Sequence, residues 1–189
     1  MEIKRDLLLK RLIDLRHNGM IKVVTGMRRC GKSYLLFNLF TDALKAKGVD
    51  EENIVQINLE DRRNKSLRDP DKLLAYIDSR LKDNKMYYIL LDEVQLVNEF
   101  EDVLNSYLQV KNADVYVTGS NARFLSKDVI TEFRGRGLEI RVHPLSFSEI
   151  RGARPDEPIE QLWIEYITYG GLPQVITMNS DQEKVDYLK

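Results

Sequence analysis

The sequence has one cysteine and no long run of apolar residues. Cys30 cannot form a disulfide within the chain, and no secretory signal is recognisable at the N-terminus, so the sequence predicts a reducing, cytoplasmic setting. The longest apolar runs, at 7–9 and 89–91, are far shorter than the roughly 20 residues that span a bilayer. We therefore expect no membrane-spanning segment.

The sequence also lacks an excess of charge of either sign. It has 29 Lys and Arg residues against 30 Asp and Glu residues, which gives a net charge of −1. This balance argues against a strongly basic nucleic-acid binder, although a local basic patch stays open. Both histidines, His17 and His143, are isolated and lack metal-ligand spacing, so we interpret them as structural. The length of 189 residues predicts one folded domain with a substantial core.

Hydrophobic periodicity predicts short strands that alternate with helices. Strands are expected at 21–25, 54–59, 87–91, 114–118 and 138–142, and helices at 2–17, 31–47, 69–81 and 98–108. Alternation of this kind indicates βαβ units and a mainly parallel sheet, which is an α/β fold. Asp69 and Pro70 predict one helix start, and Asn98 with Glu101 predicts a capping box at another.

The composition changes after His143, where four of the five prolines lie. We expect an α/β core over 1–145 and a small helical segment over 146–189. In this segment an apolar helix face ends at Gly170 and contains Leu162, Trp163, Tyr166 and Ile167, with Trp163 assigned to the core. Residues 181–189 resemble a helix without a stop signal, so we expect the sequence to be part of a longer chain.

Residues 26–33 read Gly-Met-Arg-Arg-Cys-Gly-Lys-Ser and fit the phosphate-loop pattern G-x-x-x-x-G-K-[ST]. The pattern lies between a predicted strand and a predicted helix, which is the context it requires. Gly26 and Gly31 allow successive N–H groups to point inward and bind an anion. Lys32 can reach the β- and γ-phosphates, and the Ser33 hydroxyl can bind Mg²⁺. The residues predicted to bind nucleotide are Gly26, Met27, Arg28, Arg29, Cys30, Gly31, Lys32, Ser33 and Tyr34.

Three loop side chains have open alternatives. Arg28 and Arg29 either contact phosphate or are simply solvated. Cys30 precedes a helix and could have a lowered thiol pKa, but a small residue that fills the loop is the more common case.

The third predicted strand ends in two carboxylates, as a Walker B element does. Asp92 can hold Mg²⁺ through water together with Ser33. Glu93 can accept a proton from an attacking water molecule, which would make it the catalytic base. Residues 64–67 read Asn-Lys-Ser-Leu and lack the aspartate of a guanine-reading motif, so ATP is favoured over GTP.

Two further segments supply candidate groups for the γ-phosphate. Ser120 and Asn121 follow the fourth strand and could contact the γ-phosphate or the attacking water, or they could cap the next helix. Arg134 and Arg136 alternate with glycines before the fifth strand. Arg136 is the preferred catalytic arginine, acting in its own chain or from a neighbouring subunit, and a solvated turn is the alternative.

The ordered series of motifs over about 18–178 resembles the prokaryotic AAA-type P-loop ATPases that carry an uncharacterised C-terminal domain (the DUF4143 architecture). The matching strings are 26–33, 90–95, 118–121, 135–136, 144–149 and 170–173. The resemblance implies a five-stranded sheet of order 5-1-4-3-2, a Walker B pair at Asp92 and Glu93, and a sensor near Asn121. It also implies a chain that continues well beyond 189.

The motifs and the resemblance together predict ATP binding and Mg²⁺-dependent ATP hydrolysis, with ATP and Mg²⁺ as cofactors. Hydrolysis would serve an unknown protein or DNA partner, and an oligomer could supply the arginine in trans. One alternative is a P-loop kinase that acts on a small molecule or a nucleotide. Another is a nucleotide-controlled DNA- or protein-binding module without significant turnover.

Overall fold

The fold is built on a parallel five-stranded sheet, seen in a computed structural model that describes residues 3–119, 133 and 135–189. The strands are β1 Ile21–Thr25, β2 Ile54–Asn58, β3 Tyr87–Asp92, β4 Ala113–Thr118 and β5 Gly137–Arg141. Their order is β2-β3-β4-β1-β5, and every neighbouring pair is parallel. This confirms the predicted order 5-1-4-3-2, which places β4 between β1 and β3.

Helices cover both faces of the sheet. The core helices are α1 Asp6–Asp14, α2 Lys32–Tyr34, α3 Thr41–Ala46, α4 Pro70–Arg80 and α5 Phe100–Tyr107. One apolar core lies under α4 and α5, and a second lies under α1 and the helix that follows β1. Strands β1 and β3 are therefore buried along their whole length, as parallel strands between two helical layers are.

The helix after β1 is continuous but not uniformly α-helical. Between α2 and α3 the stretch Leu35–Phe40 is π-helical, which the sequence pattern did not predict. Polar side chains bind carbonyl groups of this wider stretch. The Gln56 amide donates to the Phe37 carbonyl at 3.0 Å, and the Thr41 hydroxyl donates to the Leu36 carbonyl at 3.4 Å. Partners of this kind are typical where the regular ladder is interrupted.

Several local predictions differ from the structure. Helix α1 begins at Asp6 rather than at residue 2. The predicted capping box of Asn98 and Glu101 is wrong, because α5 begins after Glu99, which has φ 53° and makes no side-chain cap. The segment between the predicted strand 54–59 and the predicted helix 69–81, for which no element was predicted, contains the 3₁₀ helix Arg62–Arg68. By contrast, Asp69 caps α4 as predicted, by accepting from the Lys72 N–H.

The C-terminal segment is helical, as predicted. It contains α6 Phe147–Ala153, α7 Ile159–Tyr169, α8 Pro173–Ile176 and α9 Asp181–Leu188. The assignment of Trp163 to the core is wrong. Trp163 is 48% exposed and packs edge-on against Phe147, while Leu162 is the buried residue of α7. The boundary at 145/146 stays a prediction. Within the described residues, no helix combines the length and the apolar character that crossing a bilayer requires.

Close backbone contact joins the C-terminal segment to the core. The Leu145 N–H donates to the Gly171 carbonyl at 2.7 Å. A Cβ on Gly171 would lie 2.1 Å from the Leu145 carbonyl oxygen, so only glycine fits there. Pro173 reaches the phosphate loop, since its Cγ lies 3.5 Å from the position that a Cβ on Gly31 would occupy.

Candidate active site

The carboxyl ends of β1, β3 and β4 meet at one edge of the sheet, and the phosphate loop follows β1 there. The loop backbone needs glycine at its start, because Gly26 has φ 146° and a Cβ would lie 2.2 Å from the Val142 carbonyl oxygen. Gly31 has φ 95°, and Arg29 adopts the left-handed region at φ 65°. These angles turn the chain sharply between the strand and α2.

Lys32 is buried inside this loop, with 4% of its surface exposed. Its ammonium donates to the Gly26 carbonyl at 3.1 Å and to the Met27 carbonyl at 3.0 Å. Both partners are neutral, and within the described part of the chain no carboxylate forms an ion pair with Lys32. The charge of the nearby Asp92 carboxylate interacts with Lys32 but forms no ion pair with it, and a buried cation without an ion pair is a favourable site for an anion. Tyr34, in the following helical turn, is about half exposed.

Asp92 connects the loop to the strand ends. Its Oδ1 accepts from the Ser33 hydroxyl at 2.9 Å and from the Thr118 hydroxyl at 2.5 Å. Burial raises the pKa of the Asp92 carboxyl, and these two hydrogen bonds oppose the shift. A serine hydroxyl beside a buried carboxylate is an oxygen pair that suits Mg²⁺.

Glu93 follows Asp92 in a strained backbone conformation, at φ 55° and ψ 48°. The left-handed region costs a non-glycine residue about 1–2 kcal/mol. Two contacts hold Glu93 in this conformation. Its N–H donates to the Thr118 hydroxyl at 3.0 Å, and its carboxylate accepts from the Gln95 amide. Glu93 is half-buried and is the residue directly after Asp92, the partner of Ser33.

The three loop side chains with open alternatives have different surroundings. Arg28 forms an exposed ion pair with Glu60 at 3.3 Å. The Arg29 guanidinium lies 4.8 Å from the centre of the Tyr187 ring. Cys30 is fully buried and its thiol donates to the Val142 carbonyl at 3.4 Å, and burial raises the pKa of the thiol. Cys30 therefore fills space in the loop and is not an activated thiol.

Arg136 lies at the amino-terminal ends of the strands, whereas the phosphate loop lies at their carboxyl ends. The Ile21 N–H donates to the Arg136 carbonyl at 2.9 Å, and Gly137 pairs with Ile21 at the start of β1. The loop begins five residues further along β1, at about 3.3 Å per residue. This placement contradicts a role of the exposed Arg136 at the loop of its own chain and leaves the role in a neighbouring subunit as a prediction. Ser120, Asn121 and Arg134 lie outside the described residues.

Neither histidine belongs to a metal cluster in the described part of the chain, where no group of three or more His, Cys, Asp or Glu side chains could hold an ion. The His17 Nε2 atom is hydrogen-bonded to the Tyr88 hydroxyl at 2.8 Å. The His143 carbonyl accepts from the Arg5 guanidinium at 2.8 Å.

Sequence reasoning missed three contacts of the site. The first is Thr118, which joins Asp92 to Glu93. The predicted strand order could have revealed this contact, since it places β4 beside β3, where Val117 pairs with Leu91. Arg5 supports the loop from the N-terminal side. Its guanidinium donates to the Cys30 carbonyl at 3.3 Å, and its Nε atom lies 2.8 Å from the Glu149 carboxylate. Tyr187, the third, had no signal in the sequence pattern.

The family is shown by a comparison with family models, in which an AAA domain matches residues 18–151. This chain belongs to the AAA domain family. Among curated proteins, it is 34% identical over 179 residues to an uncharacterized protein of Haemophilus influenzae, covering 92% of this chain and 44% of that protein. It is 30% identical over 182 residues to the uncharacterized protein MJ1544 of Methanocaldococcus jannaschii, covering 89% of this chain and 39% of that protein. This AAA domain thus spans less than half the length of these relatives.

Solved structures support the same fold. The Walker-type ATPase of Pyrococcus abyssi aligns with a TM-score of 0.66 at 18% identity, over 99% of this AAA domain and 68% of that chain. AMPPCP-bound DnaA from Aquifex aeolicus aligns with a TM-score of 0.57 at 13% identity, over 96% of this chain and 58% of that chain. At these identities the likeness concerns the fold alone.

Proposed function

We propose that this AAA domain binds ATP and hydrolyses it to ADP and phosphate in the presence of Mg²⁺. The observation that carries the proposal is the buried Lys32 ammonium, whose hydrogen-bond partners among the described residues are two carbonyl groups, in a loop that also bears Ser33, the partner of Asp92. Membership of the AAA domain family supports the nucleotide-binding part of the proposal.

Each residue of the site has a distinct part in this proposal. The loop N–H groups and Lys32 hold the phosphates, with Lys32 exchanging its carbonyl partners for phosphate oxygens. Ser33 and Asp92 would hold Mg²⁺, which would neutralise charge on the phosphate oxygens. Glu93 orients a water molecule and accepts its proton as the water oxygen attacks the γ-phosphorus. Thr118 and Gln95 keep the Glu93 carboxylate in place through the contacts described above.

Phosphate release from ATP by Glu93→Gln tests this assignment. We expect the variant to bind ATP normally and to turn over at least about a hundred-fold more slowly, because general-base catalysis contributes about 10²–10⁴-fold. Glu99→Gln is the matched control, since Glu99 is also a glutamate at positive φ, 53°, but is exposed outside the site. It should hydrolyse ATP at the wild-type rate.

The outcomes separate the competing functions. Wild-type turnover by Glu93→Gln would contradict the assignment of the base, and absence of nucleotide binding by the wild type would contradict the proposal as a whole. Transfer of the γ-phosphate to an added acceptor would favour the kinase alternative. Nucleotide binding without phosphate release would favour a nucleotide-controlled binding module.

The position of Arg136 supports a second part of the proposal, in which this arginine completes the site of a neighbouring copy. Arg136 is exposed at the edge of the sheet away from its own loop. Mixing two inactive variants tests the idea. Lys32→Ala still offers Arg136, and Arg136→Ala still offers an intact loop, so the mixture should recover activity that neither variant has alone. A mixture as inactive as its components would contradict catalysis in trans.

A further inference from the structure

The two arginines of the phosphate loop differ in what their guanidinium groups contact. Arg28 is paired with the Glu60 carboxylate, and the side chains are 78% and 61% exposed. Arg29 lies with its Cζ atom 4.8 Å from the centre of the Tyr187 ring. Among the described residues, its guanidinium makes no hydrogen bond and no ion pair. Arg28 would have to leave a carboxylate to reach a phosphate, whereas Arg29 would not.

Contact with an aromatic face leaves a guanidinium able to bind phosphate. The ring attracts the flat face of the group, while the five N–H donors point outward in its plane. Phosphate oxygens accept from such donors, often two at a time. Tyr187 thus restricts where the Arg29 guanidinium lies without occupying its donors. An ordered side chain of this kind loses less entropy when a ligand binds.

The helix that carries Tyr187 is anchored to the rest of the C-terminal segment. Ser180 and Glu183 form a capping box at the start of α9. Lys184 is 7% exposed, forms an ion pair with Glu165 of α7 at 2.8 Å, and lies 5.1 Å from the centre of the Tyr169 ring. The Tyr187 ring is therefore held by a fixed element rather than by a free chain end.

A second contact brings the same segment to the loop. Pro173, at the start of α8, lies against Gly31, directly before Lys32. Two separate elements of the C-terminal segment therefore touch the loop, Pro173 at Gly31 and Tyr187 at Arg29.

We propose that Arg29 is the loop arginine that binds the triphosphate, and that Tyr187 is a positioning residue for it. This inference rests on the proposed function, because it assigns a further group to the same nucleotide site. It makes α9 part of the nucleotide site, although α9 is far from the loop in sequence.

Calorimetric titration of the protein with AMPPCP and Mg²⁺ tests the inference. Arg29→Gln should weaken binding about ten-fold or more, because hydrogen bonds to charged groups are among the strongest. Glutamine keeps a Cβ at this position of φ 65°, so the backbone preference is not relaxed as it would be by glycine. Arg28→Gln should cause a clearly smaller loss than Arg29→Gln.

The Tyr187 variants separate positioning from mere packing. Tyr187→Leu should weaken binding about two- to five-fold, the range of a cation–π contact at an exposed site. Tyr187→Phe keeps the aromatic face and should bind as the wild type does. In the Arg29→Gln background Tyr187→Leu should cause no further loss, because there is no guanidinium left to position.

Several results would overturn the inference. Tyr187→Leu could weaken binding equally in the Arg29→Gln background, Tyr187→Phe could bind as poorly as Tyr187→Leu, or Arg28→Gln could cost as much as Arg29→Gln. Normal binding by the wild type, Arg29→Gln and Tyr187→Leu alike would overturn this inference but not the proposed function. No binding by the folded wild type would overturn both.

Discussion

Two buried lysines at opposite ends of β1 have different kinds of partner. Lys22, at the start of the strand, forms an ion pair with Asp114, and the two side chains are 0% and 4% exposed. Asp114 also accepts from the Tyr116 hydroxyl at 3.0 Å and from the His17 N–H at 3.1 Å. Lys32, beyond the end of the strand, has two carbonyl partners among residues 3–119, 133 and 135–189.

The difference distinguishes a structural charge from one that is placed for a ligand. At the first end the Lys22 ammonium has an oppositely charged partner in Asp114, so this lysine needs no ligand. At the second end the Asp92 carboxylate accepts from Ser33 and Thr118, and Lys32 forms no ion pair with any described residue. A buried charge of this kind costs stability unless a ligand offsets it. Substitutions at the two ends should therefore affect different properties.

The largest expected effect is on stability, at the paired end. Burial lowers the pKa of Lys22 while Asp114 opposes the shift, so Asp114→Asn leaves a desolvated cation without its counter-ion. Breaking a buried pair in this way costs about 3–5 kcal/mol of the free energy of unfolding. Urea denaturation measures the loss.

Two comparisons sharpen this prediction. Lys22→Met combined with Asp114→Asn should lose less than Asp114→Asn alone, because no unpaired charge remains. Asp92→Asn should change the free energy of unfolding by less than about 1 kcal/mol, since an amide oxygen can still accept from Ser33 and Thr118. Equal losses for Asp92→Asn and Asp114→Asn would contradict the distinction between the two ends.

The sequence was sufficient for the sheet and the loop because both depend on local signals. Each of these signals lies within a short stretch of sequence. The strands are runs of buried β-branched residues, the loop is the spacing from Gly26 to Ser33, and the third signal is the carboxylates at the end of β3. The order of the strands came from the resemblance to a family and is confirmed. Periodicity alone gives strands and helices but not which strand lies beside which.

Contacts between distant segments were beyond the reach of the sequence. The π-helical stretch after α2 has a partner in Gln56 of β2, so the helical pattern alone could not reveal it. Arg136 lies between two glycines, a pattern that suggested a catalytic loop, but the pairing of β5 with β1 puts it at the opposite end of the strands from the phosphate loop. The contact of Tyr187 with Arg29 depends on how the C-terminal helices fold back over the loop.

A smaller effect, on nucleotide affinity, is expected at the unpaired end. Lys32→Met removes a charged donor to phosphate and should cost about 1.5–3 kcal/mol of binding free energy, or roughly ten- to a hundred-fold in affinity. The free energy of unfolding should fall much less than in Asp114→Asn, since the ammonium forms no ion pair with a described residue and loses only its two hydrogen bonds to carbonyl groups there. Calorimetry with AMPPCP and urea denaturation measure the two quantities.

Lys45→Met is the matched control for this substitution. Lys45 lies on α3 in an exposed ion pair with Glu51 at 3.0 Å, away from the loop. It should bind AMPPCP with wild-type affinity, and its stability should change little, as exposed ion pairs contribute little. A loss of stability by Lys32→Met as large as that of Asp114→Asn would show that Lys32 is a structural residue.

The smallest expected effects, on stability and on ATP turnover, come from removing one of two hydroxyl groups on β4. Thr118→Val removes the group that joins Asp92 to Glu93, and Tyr116→Phe removes the hydroxyl that donates to Asp114. Each hydrogen bond lost should cost about 1 kcal/mol of stability, two bonds in Thr118→Val and the bond to Asp114 in Tyr116→Phe. Only Thr118→Val should also lower the turnover number for ATP, because it frees the Glu93 N–H, and Thr118→Ser should restore it. Tyr116 contacts Asp114, the partner of Lys22 at the start of β1, whereas Thr118 contacts Asp92 beside the phosphate loop. If Tyr116→Phe slowed hydrolysis as much as Thr118→Val, the two ends of β1 would not differ in function.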